Sequence, residues 1–471
     1  MQYDLVVIGS GPAGQKAALS SAKLGKTVAM IERDQIGGVC IHTGTIPSKA
    51  IREAVLHLTG LRERAVYGAS YAVKHDIRMS DLLQRAQYVV RSEMDVIASQ
   101  MHRNGVTVFA GTASFLDANA LRIVHVDDAT EIRGKNILIA VGTVPARPTE
   151  VPFTPDRVID SNELLLLREL PKSMTIVGGG VIGSEYASML AAVGVRVTLV
   201  ESRPRLLEFV DDELAENLQF RLREMGIRLR LGESVSRIEL VDDHVEATLA
   251  SNKRIYSQTL MYCIGRQGAT EMLNLGAAGL TADNRGRLKV NEHCQTSIPH
   301  IYAAGDVIGF PALAATAMEQ GRLASCHMFN QFAESSSQLF PYGIYTIPEI
   351  SMVGQSEQTL TAQNTPYEVG LARYREIARG QLIADPNGIL KLLFHPESHR
   401  LLGVHAIGTG ATEIIHIGQT VMAAGMPIDY FVETVFNYPT LAECYKVAAL
   451  DGLNRIRSAR QPVLQIRANA A

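Results

Sequence analysis

The sequence predicts an α/β protein in which two similar strand–turn–helix–strand units precede a C-terminal α+β domain. Three observations carry this reading. An apolar strand running into a Gly-x-Gly-x-x-Gly turn occurs at residues 3–14 and again at residues 174–183. Each turn leads into a helical stretch, a second strand and a terminal glutamate, 18 positions beyond the last glycine in both cases (14 to 32, 183 to 201). From Tyr342 onward the glycine turns thin out and a different pattern of strands and helices follows. The chain has 471 residues, room for about three domains at ~150 residues each.

In the first unit Tyr3–Ile8 reads as a strand buried on both faces, because it is apolar nearly throughout. In the turn that follows, Gly9 makes the tight bend, Gly11 leaves backbone room for a pyrophosphate, and Gly14 lets helix and strand pack closely. The alanine-rich helix runs to Leu24 and aims its N-terminal amides at the phosphates. After the strand Thr27–Ile31, Glu32 stands where a carboxylate accepts from ribose hydroxyls. Gly178, Gly180, Gly183 and Glu201 repeat these positions in the second unit, with its helix running through Met189 and its second strand at Val195–Val200. Two such Rossmann-like units imply two dinucleotides held together, the requirement of a flavoprotein that uses a nicotinamide cofactor. Glu201 suits the free ribose of NAD and repels a 2′-phosphate, whereas Arg203 and Arg205 suit the 2′-phosphate of NADP or are simply solvated. Both readings stay open, and a chain that accepts both NAD and NADP fits the mixture.

Between the units, Ser80–Met101 reads as an amphipathic helix with Leu83, Ala86, Val90, Ile97 and Met101 on its core face. The strand Asn136–Val141 ends in Gly142-Thr143-Val144-Pro145, and Leu260–Ile264 ends likewise in Gly265-Arg266. Gly142 and Gly265 therefore mark crossovers and are candidates for cofactor contact. They divide the chain into a discontinuous first domain (1–145 and 270–340), a second domain (146–269) and a C-terminal domain (341–471). The strand at 301–304 closes on Gly305-Asp306, and a helix follows at Ala312–Phe329. In the last domain Leu390–Phe394 and Leu402–Ile407 read as strands, Ala411–Ala424 and Ile428–Thr434 as helices, and Arg460–Ala471 as a frayed tail.

Composition narrows the function classes. The 46% hydrophobic and 20% charged residues exclude extended disorder. A net charge of −3 gives no electrostatic ground for nucleic acid or an anionic membrane as partner. No run approaches the ~20 apolar residues of a membrane span. A strand begins at Tyr3 with no basic leader before it, so no signal peptide is expected. The cysteines at 40, 263, 294, 326 and 444 show no metal spacing, which fits a reducing compartment and a cytoplasmic location. Cys263 reads as core, Cys294 and Cys326 have no motif partner, and His405 and His416 read as packed or surface residues.

The stretch Gly37-Gly38-Val39-Cys40-Ile41-His42-Thr43-Gly44-Thr45-Ile46-Pro47-Ser48-Lys49, running into a helix over Ser48–Leu58, resembles the redox segment of the class I pyridine nucleotide–disulfide oxidoreductases. The resemblance extends over residues 3 to 455. In that family two thiols five positions apart form a disulfide beside FAD. Here Thr45 fills the second position, and a lone Cys40 closes no intramolecular disulfide. The resemblance implies that Lys49 and Glu185 pair beside the flavin N5, that Asp306 binds the ribitol, and that the helix after it directs its amides toward the flavin ring. It further implies a homodimer whose C-terminal domain carries Tyr345–Ile350 and Tyr438–Glu443, the latter approaching the flavin of the other subunit. The family's base, a histidine, is replaced by Tyr438, whereas Glu443 is retained. Tyrosine, with an ordinary pKa near ~10, is a poor base at neutral pH. The loss of thiol and base together resembles the family's soluble transhydrogenase branch, in which hydride moves between NADPH and NAD at non-covalent FAD by ping-pong kinetics. Alternatives are a flavin reductase of a quinone or other small acceptor, a lipoamide dehydrogenase-like protein without disulfide chemistry, and a silent nucleotide-binding subunit. A relay from Cys40 to Cys444 of the other subunit is a further option.

Overall fold

The computed structural model describes residues 1–126, 128–333 and 339–460. The first sheet has seven strands, in the order Thr107–Ala110, Val28–Glu32 (β2), Gln2–Ile8 (β1), Asp128–Ile139, Ala120–His125 and Thr112–Phe115, with Ile301–Ala303 paired to Asp128–Ile139. β1 lies parallel to β2 and to Asp128–Ile139, and Leu5, Val6 and Val7 are fully buried. Such burial on both faces is what an apolar strand in a parallel sheet requires. Helix α1 (Pro12–Lys23) packs on the helix Ala314–Met328, where Ser21 and Ser325 share a buried hydrogen bond of 2.8 Å. The contact is so close that a Cβ at Gly321 would lie 2.1 Å from the Ala13 carbonyl oxygen.

The second unit holds a five-stranded parallel sheet, in the order Arg228–Leu231, Arg196–Glu201, Ser173–Val177, Thr259–Tyr262 and Val158–Ile159. A small antiparallel sheet of Val235–Val241, His244–Leu249 and Arg254–Ser257 is attached to it. The two crossovers pair with each other: Thr143–Pro145 runs antiparallel to Arg266–Gly268. The last part is a five-stranded antiparallel sheet, Tyr342–Ile344, Ile350–Gly354, Leu401–Ile407, Ile389–Phe394 and Glu368–Arg373, covered by Ala411–Ala423 and Glu443–Arg460. Its core includes Tyr374, Phe394, Phe431 and Tyr445.

Several expectations shift. The amphipathic helix spans Met79–Arg103, and its buried face uses Leu82 where the sequence pointed to Leu83. The helix predicted from Ser48 begins at Thr45, as α3 (Thr45–Thr59), and is preceded by a separate short helix, α2 (Gly38–His42). Arg460 ends a helix, and the tail expected beyond it, residues 461–471, lies outside the described residues. The strands at 107–125 and 235–257 carried no clear apolar alternation and were not anticipated. Among the described residues no helix is long and apolar enough to cross a membrane.

Candidate functional site

A cleft of about 950 Å³ runs from Glu32 past Gly11 and Cys40 to Lys49, Glu185 and Asp306. Its floor is the first glycine turn. Gly9 adopts a left-handed φ of +102°, and a Cβ there would meet the Ala140 carbonyl oxygen at 2.4 Å. A Cβ at Gly14 would stand 2.0 Å from the Gly9 oxygen, so α1 can start this close to β1 only with glycine. Gly11, in contrast, has open space where its Cβ would be. The second turn repeats the arrangement: Gly178 has φ +112°, Gly180 faces open space, and a Cβ at Gly183 would sit 1.9 Å from the Gly178 oxygen. Each unit thus leaves a helix N-terminus with backbone amides facing free space, which is what a pyrophosphate requires. The chain therefore has two cradles suited to dinucleotides. Glu32 closes the far end of the first, accepting from the Ser10 amide at 3.0 Å, the Ser10 hydroxyl and the Asp34 amide.

Gly37 and Gly38, both with positive φ, turn the chain into α2, and Gly38 packs directly on Gly11. This places Cys40 on the cleft wall. Burial pushes its thiol up from the ordinary value, against a hydrogen bond with the Thr45 hydroxyl; the nearby Asp306 charge adds to the rise and Lys49 opposes it. All five cysteines are free. Cys444 is fully buried in the C-terminal core, its thiol pushed up to about 12 by burial. A buried, protonated thiol of this kind does not favour the relay with Cys40.

At the other end, Lys49 Nζ donates to both oxygens of Glu185, at 2.8 and 3.0 Å. Glu185 is buried and also accepts from the Tyr345 amide at 2.8 Å. The Lys49 ammonium sits 4.9 Å from the centre of the Tyr345 ring, within cation–π range. Residues 136 positions apart in sequence are thus joined, with Tyr345 of the C-terminal domain as a third member that motif reading did not assign to the cleft. Two further residues were missed. Arg266 donates to the Thr143 hydroxyl at 2.8 Å and to its carbonyl at 2.9 Å, joining the crossovers. Burial pushes the Asp306 carboxyl up, and Arg266 and Thr143 counter it. The signal for both was present in the sequence: Thr143 and Arg266 directly follow the two crossover glycines, Gly142 and Gly265, whose φ angles are +64° and +83°.

In the second unit Glu201 does not offer a free carboxylate. It accepts from the Gly179 amide (2.7 Å), the Ser202 hydroxyl (3.2 Å), and the Arg203 amide (3.0 Å), Nε (2.9 Å) and Nη2 (2.9 Å). Burial pushes its pKa up, but the Arg203 guanidinium and these amides outweigh burial and hold it down at about 2. Arg205 is paired with Asp212. The even choice between ribose and phosphate recognition is thereby changed: Arg203 neutralises Glu201, and Arg205 is engaged elsewhere. Tyr438 is 68% exposed and, like Glu443, lies outside the cleft of its own chain; Glu443 Oε2 is buried without a hydrogen-bond partner among the described residues. His416 stands on the cleft wall with Nδ1 on Gln419, whereas His405 is buried.

Comparison with known proteins places this geometry in context. Residues 3–321 match the family model of the pyridine nucleotide-disulphide oxidoreductases, and residues 340–449 match the model of their dimerisation domain. A protein named soluble pyridine nucleotide transhydrogenase from Mycobacterium tuberculosis (strain ATCC 25177 / H37Ra) is 52% identical over 463 residues, covering 98% of this chain and 99% of the relative. One of the same name from Colwellia psychrerythraea is 45% identical, with 96% and 98% covered. Among solved structures, the HOCl-induced flavoprotein disulfide reductase RclA from Escherichia coli superposes with a TM-score of 0.85 at 28% identity, over 95% of this chain and 99% of that one. With both glycine cradles, the Lys49–Glu185 pair and the C-terminal sheet in place, the chain belongs to the pyridine nucleotide-disulphide oxidoreductase family.

Proposed function

We propose that the protein is an FAD-dependent soluble transhydrogenase that passes hydride between NADPH and NAD. The observation that carries this reading is the pairing of an intact Lys49–Glu185 site with an incomplete redox motif, in which Cys40 meets the Thr45 hydroxyl where the motif's second thiol would stand. When bound, FAD supplies the hydride acceptor and donor that lets one nicotinamide cofactor be exchanged for the other. The first glycine turn and the α1 N-terminus hold its pyrophosphate, Glu32 its adenosine ribose and Asp306 its ribitol. Lys49 places a positive charge where negative charge develops during transfer, and Glu185 fixes its position. Gly178, Gly180 and Gly183 cradle the nicotinamide dinucleotide, with Glu201 and Arg203 at its adenosine end. Both cofactors use the same site in turn, so nothing needs to cross to a disulfide.

The domain boundaries that fit this reading are 1–145 with 270–340 for FAD, 146–269 for NAD(P), and 341–471 for dimerisation. Tyr438 and Glu443 would complete the cleft of the partner subunit in a homodimer of the cytoplasm. An anaerobic titration tests the proposal. NADPH should bleach the flavin spectrum, and NAD alone should restore it. Bleaching without restoration by NAD, but with restoration by a quinone, would replace the transhydrogenase reading with that of a quinone reductase.

A further inference from the structure

Lys391 lies in the middle of the buried strand Ile389–Phe394, and its side chain is fully buried. No step described above uses it. Its Nζ contacts three carboxylates: Asp211 at 2.8 Å, Glu213 at 3.0 Å, and Glu357. Asp211 is also fully buried, whereas Glu213 and Glu357 reach solvent. Directly opposite Lys391 in the sheet register is His405, buried, with Nε2 on the Gln355 carbonyl at 2.9 Å. The three carboxylates are spaced closely enough to surround a metal ion, but the ammonium group already fills that position. Burial opposes the charge on Lys391, and the three carboxylates outweigh it and keep the group charged.

The location of Asp211 gives this cluster its meaning. Asp211 and Glu213 belong to the second unit, whereas Lys391 and Glu357 belong to the C-terminal sheet and its adjoining helix. The segment 201–211 begins at the Glu201–Arg203 pair and ends at Asp211. Within it, Leu206 fills the space that a Cβ at Gly179 would need, at 2.4 Å, so the segment lies directly against the second glycine turn. Its other end is tied to the C-terminal domain by Lys391 on Asp211, by the Glu357 amide on Asp211 (3.3 Å) and by the Gln358 side chain on the Val210 carbonyl (2.9 Å). Of these ties only Lys391 carries a charge, and removing it leaves the buried Asp211 carboxylate without its cation.

We propose that Lys391 is a positioning residue for nicotinamide-dinucleotide binding, anchoring through Asp211 the segment that carries Leu206 and Arg203 against the second glycine turn. The inference rests on the assignment of the second unit to NAD(P). Lys391 touches no substrate. It sets the pose of a loop that does, from a different domain.

The test uses oxidised, FAD-loaded protein titrated calorimetrically with NAD and with NADP. Lys391→Met keeps side-chain length and removes the charge. It should raise both dissociation constants by about tenfold or more, equivalent to ~1.4 kcal/mol, with unchanged FAD stoichiometry. In turnover KM should rise while kcat changes by less than about twofold. Adding Asp211→Asn to Lys391→Met should cost little more than Lys391→Met alone, because both changes remove the same contact; additive losses would overturn the anchor. Should Lys391→Met fail to fold, Asp211→Asn alone decides, since it leaves the lysine two carboxylates; a rise of about threefold or more supports the anchor. Unaltered dissociation constants in either variant, with binding to the wild type intact, would overturn the inference alone. No binding of either dinucleotide to the wild type would overturn the underlying reading, and the inference with it.

Discussion

A half-buried thiol that faces a hydroxyl in place of a second thiol has little chemistry open to it at neutral pH. Exchange with a disulfide needs a thiolate to attack and a second thiol to resolve, and Cys40 lacks the second. Cys40→Ser should therefore keep NADPH-to-NAD transfer within about tenfold, a barrier change of ~1.4 kcal/mol, measured by steady-state turnover with FAD still bound. Because burial raises the Cys40 pKa, its thiolate fraction grows only above the ordinary ~8.5 of a free thiol. Alkylation followed by mass spectrometry should accelerate with pH beyond that value; a fast rate at neutral pH would contradict the burial argument. Lys49→Ala is expected to behave differently. Loss of the charge fixed by Glu185 should slow reduction of bound FAD by about a hundredfold, ~2.7 kcal/mol, in an anaerobic stopped-flow experiment. Arg203 is the third informative residue. While it caps Glu201, a 2′-phosphate meets a neutralised pair. Arg203→Ala exposes the bare carboxylate and should raise KM for NADP(H) more than for NAD(H), by about tenfold in ratio.

At the scale of elements, the two glycine turns make the same demand in different places. A Cβ at Gly14 or Gly183 falls about 2 Å from a backbone oxygen of its own turn, well inside van der Waals contact. Neither turn can yield without moving its helix N-terminus. Gly14→Ala should yield protein lacking FAD, read from its absorbance spectrum. Gly183→Ala should retain FAD and lose most of its affinity for NADP in calorimetry. If both variants kept both cofactors, the helix N-termini would not be the phosphate sites.

For the molecule as a whole, the dimerisation domain has two relations to the site. Within one chain it contributes Tyr345 beside Lys49 and Glu185 and the Lys391 anchor behind the second unit. Its other landmark, Tyr438–Glu443, does not line its own cleft, and one Glu443 oxygen is left buried without a hydrogen bond among the described residues. In the homodimer proposed above, this segment would sit at the partner's cleft. Sedimentation and activity should therefore fall together on dilution. A monomer retaining full transfer would remove Tyr438 and Glu443 from the reaction.

The local content of this protein was legible in its sequence because each signal is short and chemically constrained. Gly9, Gly14 and their repeats stand where no Cβ fits, and Gly11 and Gly180 leave open the space a pyrophosphate needs, so their spacing announces them. The replacement of a second cysteine by Thr45 is visible without any coordinates. The antiparallel strands at 112–125 and 235–257 were not legible, because they are short and their apolar residues break the period of two, as in Val235-Ser236-Arg237-Ile238-Glu239-Leu240-Val241. Apart from the Lys49–Glu185 pair, which the resemblance already implied, tertiary structure alone decided the partnerships of charged groups. Glu201 looked like a free ribose acceptor until Arg203 was seen to occupy it, and Lys391 looked like an ordinary strand residue until Asp211 was brought to it from 180 positions away. A charge's role depends on what lies within a few ångströms of it and on how much water is excluded there. Both are set by the fold and neither is written in local sequence.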